Sequence, residues 1–261
     1  MKAAAFDYSR PTDWPEALQL LQAGARPAAG TQSLGPMLNF RLSLPQRLAD
    51  LRHLPGYTDV TLSNHVVRIG AGTTHAAIED GAVPGRLGAI LAAIAGRIAY
   101  RAIRNRGTIG GSLAHADPAA DWVATLPALD ATAIAIGPQG ERRIPAAAFV
   151  LGLFTTALAE NELLQAIELP TLPETARWGH WKFCRKPGEF SRATACILHT
   201  PGHPPTAVLA ALDAPPLMIP DPAALLADPA ITAARIVAPL KLDPWRAAIA
   251  RTALCRAVQA L

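Results

Sequence analysis

The chain has 261 residues, of which 51% are hydrophobic and 17% charged, so it can bury a core in one large domain or two smaller ones. Its formal charge is +4, but the basic residues are scattered and aromatics make up only 5%, which does not indicate nucleic-acid binding. No apolar run approaches the roughly 18 residues of a membrane span, and residues 1–10 are too charged for a signal peptide. We therefore expect a cytoplasmic protein.

The three cysteines, Cys184, Cys196 and Cys255, are an odd number with no short spacing. This pattern argues against a disulfide framework or a zinc site. An iron–sulfur cluster takes four thiolates, or two thiolates with two histidines, and the histidines show no pairing with these cysteines. We therefore expect that any such cluster belongs to a partner chain.

Alternating and helical patterns predict mixed α and β structure. Asp13-Trp-Pro-Glu16 is a capping box with proline in the first turn, which indicates a helix start. Ser63-Asn-His65 lies between two alternating runs and predicts a hairpin. In chain order we expect a strand at 3–8, a helix at 13–24, a strand at 48–51, a hairpin at 60–69, helices at 87–100 and about 119–129, and strands at 131–136, 142–144 and 163–169.

The segment Thr171-Leu-Pro-Glu-Thr175 is the best candidate for a domain boundary, because it places threonines, a proline and a charge after a strand. A smaller domain is expected to follow it. Asp243-Pro244 predicts the start of its last helix, as Asp13 does for the first. The expected elements are strands at 178–184, 192–199 and 206–212, and helices at 222–227 and 243–260.

Glycines, hydroxyls and carboxylates concentrate between residues 103 and 121. Gly107, Gly110 and Gly111 can take positive φ and lack Cβ atoms, which lets successive backbone N–H groups turn toward one anion. Thr108 and Ser112 add hydroxyl donors. We interpret the segment as a diphosphate cradle, although on composition alone a tight surface turn is about as well supported. Pro118 is placed to open the following helix.

A second segment, residues 28–37, also combines glycine with Thr31 and Ser33. Alone it is a weak signal, and neither segment matches the Walker loop or the dinucleotide fingerprint. Two such loops about eighty residues apart suit a long ligand with two phosphates better than a mononucleotide. The basic residues that precede the second loop either raise the local potential for a diphosphate or form a solvated face: Arg101, Arg104 and Arg106.

His115, Asp117 and Asp121 lie close together in sequence, which raises two hypotheses: a set of metal ligands or, with Ser112, a hydrolytic triad. The members of a triad converge from separate elements, and Gly-x-Ser-x-Gly is absent. A metal site needs a further ligand at recognisable spacing. Capping of turns by these side chains is therefore favoured.

The sequences AGTQSLGPMLNFRL at 29–42 and IRNRGTIGGSLAHADPAAD at 103–121 resemble those of the FAD-binding medium subunit of molybdenum hydroxylases. That family includes the flavoprotein subunit of aerobic carbon monoxide dehydrogenase and the flavin domain of xanthine dehydrogenase. The resemblance covers essentially the whole chain and implies an α+β fold. It predicts a PCMH-type FAD-binding domain at 1–170, with α/β subdomains at about 1–55 and 56–170. It also predicts a small C-terminal α/β domain at 176–261, like that of carbon monoxide dehydrogenase flavoproteins, with a three-stranded antiparallel sheet.

The resemblance also implies which residues bind FAD. Asp121 is expected to contact the flavin nucleotide, and Lys182 to lie near the isoalloxazine, where a positive charge stabilises anionic reduced flavin. Phe190 replaces a tyrosine and Thr31 a glycine of many relatives, and Thr31 brings a Cβ to a backbone position that favours positive φ. The expected set is Ala29, Gly30, Thr31, Gln32, Ser33, Leu34, Ile103, Thr108, Gly110, Gly111, Ser112, Asp121, Leu164, Lys182 and Phe190. No catalytic residue or metal ligand is expected.

By resemblance the chain is an oxidoreductase subunit. A large molybdopterin subunit would hydroxylate the substrate, a small subunit would pass electrons through [2Fe–2S] clusters, and FAD on this chain would deliver them to an external acceptor. The expected complex is a heterotrimer or a dimer of heterotrimers. Two alternatives remain open at this point, a self-contained flavin oxidoreductase of the same fold and a flavin-free scaffold subunit.

Overall fold

The chain begins with a small parallel β-sheet. The computed structural model describes residues 2–261, and the first of them form β1 (Asp7–Ser9), α1 (Trp14–Gln22), β2 (Arg26–Ala28), α2 (Leu34–Asn39) and β3 (Arg47–Asp50). The sheet has the order β1-β3-β2, with both neighbouring pairs parallel. Asp13 caps α1 by accepting a hydrogen bond from the N–H of Glu16 at 2.8 Å, which confirms the predicted helix start. The first strand is shorter than predicted.

A buried carboxylate ties this sheet together. Asp50, at the end of β3, is 1% exposed and accepts hydrogen bonds from the guanidinium of Arg52 at 2.7 and 2.9 Å. The hydroxyl of Tyr8, on β1, donates to the same carboxylate. Burial raises the pKa of Asp50, but the hydrogen bonds from Arg52 and Tyr8 outweigh it, so the pKa lies well below its ordinary value. The carboxylate is therefore ionised and fixes the end of β3.

A larger antiparallel sheet and a group of helices follow. Asn64 and His65 take positive φ, at 48° and 62°, and turn the predicted hairpin between β4 and β5. The sheet order is β4-β5-β10-β6-β7. The elements are β4 (Val60–Ser63), β5 (Val66–Gly70), α3 (His75–Glu79), α4 (Gly85–Ala95), α5 (Arg101–Arg104), α6 (Ile109–His115), α7 (Asp121–Ala128), β6 (Thr132–Gly137), β7 (Gly140–Pro145), β8 (Val150–Gly152), β9 (Thr155–Thr156) and β10 (Leu163–Pro170).

The C-terminal region contains a four-stranded antiparallel sheet, so the prediction of three strands was wrong. The additional strand, Leu217–Met218, has only two residues and stands between prolines, which left no alternating pattern to detect. It pairs with Val208 and Leu209. The elements are β11 (Arg177–Phe183), β12 (Ala193–His199), β13 (Thr206–Ala210), β14 (Leu217–Met218), α8 (Pro222–Ala227), α9 (Pro229–Val237) and α10 (Pro244–Gln259).

Helix α7 joins the two large sheets. Its small residues Ala124 and Ala128 form a buried cluster with Cys196 and Val208 on the C-terminal sheet. Helix α10 packs against β11 and β12 of that sheet, in a separate core. Because α7 lies beside the sheet, Asp121 at its first turn comes next to Lys182 of β11. Within residues 2–261, no helix is long and apolar enough to cross a membrane.

The carboxylate of Asp50 predicts a pH-dependent stability. Asp50→Asn removes hydrogen bonds to an ionised group, so we expect it to lower the free energy of unfolding by about 2 kcal/mol at pH 7. Because the folded-state pKa is depressed, this contribution is complete above the unfolded pKa and is lost as the pH falls. Urea unfolding should show a constant gap between the two proteins from about pH 7 to 5 and a narrowing gap below about pH 4.

Asp7→Asn is the matched control for this measurement. Asp7 pairs with Arg47 at 3.7 Å, but its side chain is 78% exposed, so the change should have almost no effect. Equal effects of the two substitutions, or a gap for Asp50→Asn that does not narrow in acid, would contradict the assigned role of the buried carboxylate.

Candidate functional site

One large cavity opens between the first parallel sheet, the helices that follow β5, and the C-terminal region. Its volume is about 610 Å³, within the range of about 300–1,000 Å³ that ligand and cofactor sites occupy. Segments 29–34 and 107–112 both contribute to its wall, and residues 188–190 contribute from the loop between β11 and β12. The two loops that the sequence singled out therefore lie on one site.

The two segments touch directly at Gly30. A Cβ added there would lie 1.9 Å from the carbonyl oxygen of Arg106 and 2.8 Å from Cα of Gly107. Any side chain at this position would push the segments apart, so glycine is required for a close approach rather than for flexibility. The distance between the walls of the cavity depends on this contact.

The first segment presents free backbone donors. Within residues 2–261, the N–H groups of Thr31, Gln32 and Ser33 have no hydrogen-bond acceptor, and all three residues line the cavity. Thr31 takes φ of 59°, which is the left-handed conformation expected for this position. Successive N–H groups around a residue in this conformation form a concave site for an anion.

The second segment is built differently from the prediction. It contains helix α6, for which Thr108 is the N-cap and accepts a hydrogen bond from the N–H of Gly111 at 3.0 Å. The N–H groups of Ile109 and Gly110 donate to the carbonyl oxygens of Thr73 and Ala71. Because these donors already have partners, the backbone of this segment is not an open cradle. It offers the hydroxyls of Thr108 and Ser112 to the cavity.

The glycines of the second segment serve packing. None of Gly107, Gly110 and Gly111 has positive φ, so that part of the prediction was wrong. A Cβ on Gly110 would lie 2.3 Å from the Cβ of Ala71, and one on Gly111 would lie 2.7 Å from Oγ1 of Thr108. These residues lack side chains so that α6 can lie against the strand-to-helix connection and keep its cap.

Two of the three arginines that precede α6, Arg101 and Arg104, are engaged in ion pairs. The guanidinium of Arg104 is buried and donates to both oxygens of Glu79 at 2.8 Å. Arg101 donates to Glu79 and Asp80. Arg104 therefore braces α5 against α3 from a buried position, whereas Arg101 forms its ion pairs at the surface, as the solvated-face alternative expected. Arg106 forms the contact with Gly30 through its carbonyl oxygen.

A buried ion pair stands at the edge of the cavity. The ammonium of Lys182 is 3% exposed and donates to the two oxygens of Asp121 at 2.9 and 3.1 Å, and to the carbonyl oxygen of Arg97 at 3.0 Å. Burial raises the pKa of Asp121, and the charge of Lys182 opposes this rise. Asp121 lines the cavity, whereas Lys182 lies behind it and reaches the site through this carboxylate.

The remaining polar residues of the motif have structural contacts. Asp117 lines the cavity and accepts a hydrogen bond from the N–H of Ala119 at 2.9 Å, so it caps a turn as favoured. His115 packs against Phe154, with ring centroids 5.1 Å apart. Among residues 2–261, no group of three His, Cys, Asp or Glu side chains is placed to hold a metal ion.

Comparisons with known proteins agree with this geometry. Residues 4–172 match the family model described as the FAD binding domain in molybdopterin dehydrogenase. The chain is 39% identical over 203 residues to the 6-hydroxypseudooxynicotine dehydrogenase complex subunit alpha of Paenarthrobacter nicotinovorans, covering 77% of this chain and 69% of that one. It is 36% identical over 197 residues to the carbon monoxide dehydrogenase medium chain of Hydrogenophaga pseudoflava, covering 74% and 68%.

Solved structures extend the likeness to the C-terminal region. A chain of carbon monoxide dehydrogenase from Hydrogenophaga pseudoflava superposes with a TM-score of 0.89 at 27% identity, covering all of this chain and 98% of that one. A chain of quinoline 2-oxidoreductase from Pseudomonas putida 86 gives 0.85 at 28% identity, with the same coverage. The fold is thus that of these oxidoreductase subunits. The chain belongs to the family of FAD-binding medium subunits of molybdenum hydroxylases.

The predicted site residues come together with one exception. Fourteen of the fifteen line the cavity, and Lys182 is the one that does not. Sequence reasoning missed other residues of the wall, among them Tyr57 and His75. Tyr57 carries no motif, and His75 follows two threonines at a helix start, where capping by Thr74 was the only local signal. Which of these residues contact the cofactor stays a prediction.

The contact at Gly30 predicts that alanine substitutions at two glycines of the same segment have different effects on FAD affinity. Gly30→Ala should force the two walls apart, so we expect at least roughly tenfold weaker FAD binding, measured by quenching of flavin fluorescence. Gly35→Ala is the matched control, because a Cβ there meets nothing within 4 Å and lies in α2. It should keep wild-type affinity and stabilise the helix by up to about 1 kcal/mol. Equal FAD affinity in both variants would contradict the proposed contact.

Proposed function

We propose that this chain is the electron-transfer subunit of a molybdenum-dependent hydroxylase, in which it holds FAD in the described cavity. The single observation that carries the proposal is the meeting of both glycine-containing segments on one cavity, with free N–H donors on one of them. Membership of the family of FAD-binding medium subunits supports the same cofactor. When bound, FAD supplies the capacity to take up electrons one at a time from one-electron carriers and to deliver them singly or as a pair.

The residues of the cavity fit this cofactor. The free N–H groups of Thr31, Gln32 and Ser33 are suited to the diphosphate, and Thr108 and Ser112, which carry hydroxyl donors, line the same cavity. Ile103 and Leu164 offer apolar surface for an aromatic ring. Phe190 lines the other end of the cavity and is 61% exposed, so it lies where bound flavin would approach solvent.

The source of the electrons is proposed to be a partner subunit. Three cysteines are too few for a cluster that takes four thiolates. Cys196 is fully buried beneath α7, and its burial raises the pKa of the thiol, so it is not available as a ligand. The relatives named above include a dehydrogenase complex subunit and a medium chain, which supports a partner with [2Fe–2S] clusters and a large molybdopterin partner.

The ion pair of Asp121 and Lys182 is proposed to set the charge beside the flavin. Its two charges cancel, so the edge of the cavity carries a polarised but neutral pair. If the ammonium were removed, the pKa of Asp121 would rise further, and at a pH above that raised pKa the carboxylate would face the cofactor without a compensating charge. Negative charge there disfavours the anionic reduced flavin, so Lys182 stabilises the reduced form by neutralising Asp121.

Anaerobic mixing of the FAD-loaded chain with organic substrates tests whether electrons reach the flavin only through the partner subunits. The isolated chain, loaded with FAD, should leave aldehydes, purines and N-heterocycles unchanged, and its flavin absorbance should stay constant. After its molybdenum and iron–sulfur partner subunits are added, the substrate of the complex should bleach the flavin. Bleaching by an organic substrate without partners would support a self-contained oxidoreductase instead, and a chain that takes up no FAD would support a flavin-free scaffold.

The ion pair leads to a prediction for the flavin potential. Measured at a pH above the raised pKa of Asp121, where this carboxylate is ionised, Lys182→Met should lower the potential by roughly 30 mV, which corresponds to about 1.4 kcal/mol for two electrons. The matched variant Asp121→Asn/Lys182→Met removes both charges and should return the potential toward the wild-type value. Potentials are measured by dye-coupled reduction, with the flavin-to-protein ratio as a check on folding. A potential in Lys182→Met equal to wild type would show that Asp121 and Lys182 act on structure only.

A further inference from the structure

His75 is a wall residue of the cavity that no sequence motif marked. It is the first residue of α3, is only 5% exposed, and lines the cavity. Its backbone N–H donates to the carbonyl oxygen of Gly107 at 2.8 Å, and the adjacent Thr74 pairs with Thr108 in an isolated β-bridge. The imidazole is therefore held firmly against the segment that leads into α6.

The ring has a defined hydrogen-bond partner on one side. The indole Nε1–H of Trp122, a fully buried residue of α7, lies 3.1 Å from Nδ1 of His75. An indole N–H is a donor only, so Nδ1 has to be the acceptor. In a neutral imidazole with an unprotonated Nδ1, the proton is on Nε2. Trp122 thus selects the tautomer.

The charge state of the ring agrees with this assignment. Burial, together with the nearby guanidinium of Arg104, lowers the pKa of His75 to about 4. The ring is consequently neutral at neutral pH. Its remaining hydrogen-bonding group is one N–H donor at Nε2.

The Nε2 edge faces a position where the protein has no side chain. A Cβ on Gly107 would lie 3.0 Å from Nε2 and 2.9 Å from Cδ2 of His75, and Gly107 also lines the cavity. Trp122 is the only hydrogen-bond partner that residues 2–261 give to the ring. Because His75 lines the cavity and its Nε2–H has no acceptor within these residues, an oxygen of a ligand in the cavity can accept this hydrogen bond.

We propose that His75 is a cofactor-binding residue whose Nε2–H donates a hydrogen bond to an acceptor oxygen of the bound flavin dinucleotide, and that Trp122 is its positioning residue. The proposal rests on the proposed function, because it requires FAD in this cavity. It adds a neutral donor beside α6, whose first backbone N–H groups already have protein acceptors.

Affinity measurements on three variants test the hydrogen bond. His75→Leu keeps an apolar side chain but removes the donor, and it should weaken FAD binding by roughly tenfold. His75→Gln carries both an acceptor and a donor on its amide, so it should remain within about threefold of wild type. His53→Leu is the control, since that histidine is exposed and does not line the cavity.

Histidine ¹⁵N NMR on the unmutated chain provides a second readout that does not depend on the folding of a variant. The spectrum should show His75 protonated at Nε2, with a proton resonance that shifts when FAD is added. Trp122→Phe should introduce the other tautomer, which a purely structural role of Trp122 would not do. A ring protonated at Nδ1 in the wild type, or an Nε2–H signal unchanged at saturating FAD, overturns the proposal.

These measurements distinguish a failure of the role of His75 from a failure of the proposed function. If the wild type binds FAD and His75→Leu binds it equally well, the role of His75 is wrong and the proposed function stands. If the wild type itself does not bind FAD, the proposed function fails and the role of His75 fails with it. Weaker FAD binding in His75→Leu together with the shift of the Nε2–H signal supports both the role of His75 and the binding of FAD in this cavity.

Discussion

The architecture of the cavity depends on one close contact, between Gly30 and the backbone at Arg106. A side chain at residue 30 would overlap the carbonyl oxygen it meets, so the segment after β2 and the segment before α6 come together only because Gly30 has none. This contact joins a parallel sheet to the helices of the antiparallel one. The two halves of the wall are therefore fixed by backbone packing and need no flexible linker between them.

The two walls of the cavity differ in whether their backbone N–H groups already have acceptors in the protein. Residues 109–111 satisfy their own donors through the Thr108 cap and the backbone near Ala71, which makes that wall rigid. Residues 31–33 leave theirs free, and Thr31 accepts a left-handed conformation to do so, at a cost of about 1–2 kcal/mol for a residue with a Cβ. One wall thus has N–H groups that are already bonded within the protein, and the other has N–H groups that are free. Such a site suits an anionic ligand that binds to the folded protein.

The sequence predicted the wall residues well, because the motifs at 29–34 and 107–112 place short, distinctive side chains that match a known family. It also predicted the hairpin at 64–65, because the turn residues and the alternating runs beside them are local in sequence. It failed where partners are distant in sequence: Arg104 pairs with Glu79, Lys182 with Asp121, and His75 with Trp122. Helix α6 was missed because its glycines, chosen for tight packing, are poor helix formers by local propensity.

Backbone amide NMR with two ligands tests the central claim most directly, that residues 31–33 receive the diphosphate. Riboflavin shares the isoalloxazine of FAD but lacks the phosphates. We expect FAD to shift the amide signals of Thr31, Gln32 and Ser33 strongly and riboflavin to leave them nearly unchanged. The amides of residues 109–111, which are hydrogen-bonded within the protein, should respond less to either ligand. The result that would contradict it is a strong FAD-specific response at 109–111 with no change at 31–33.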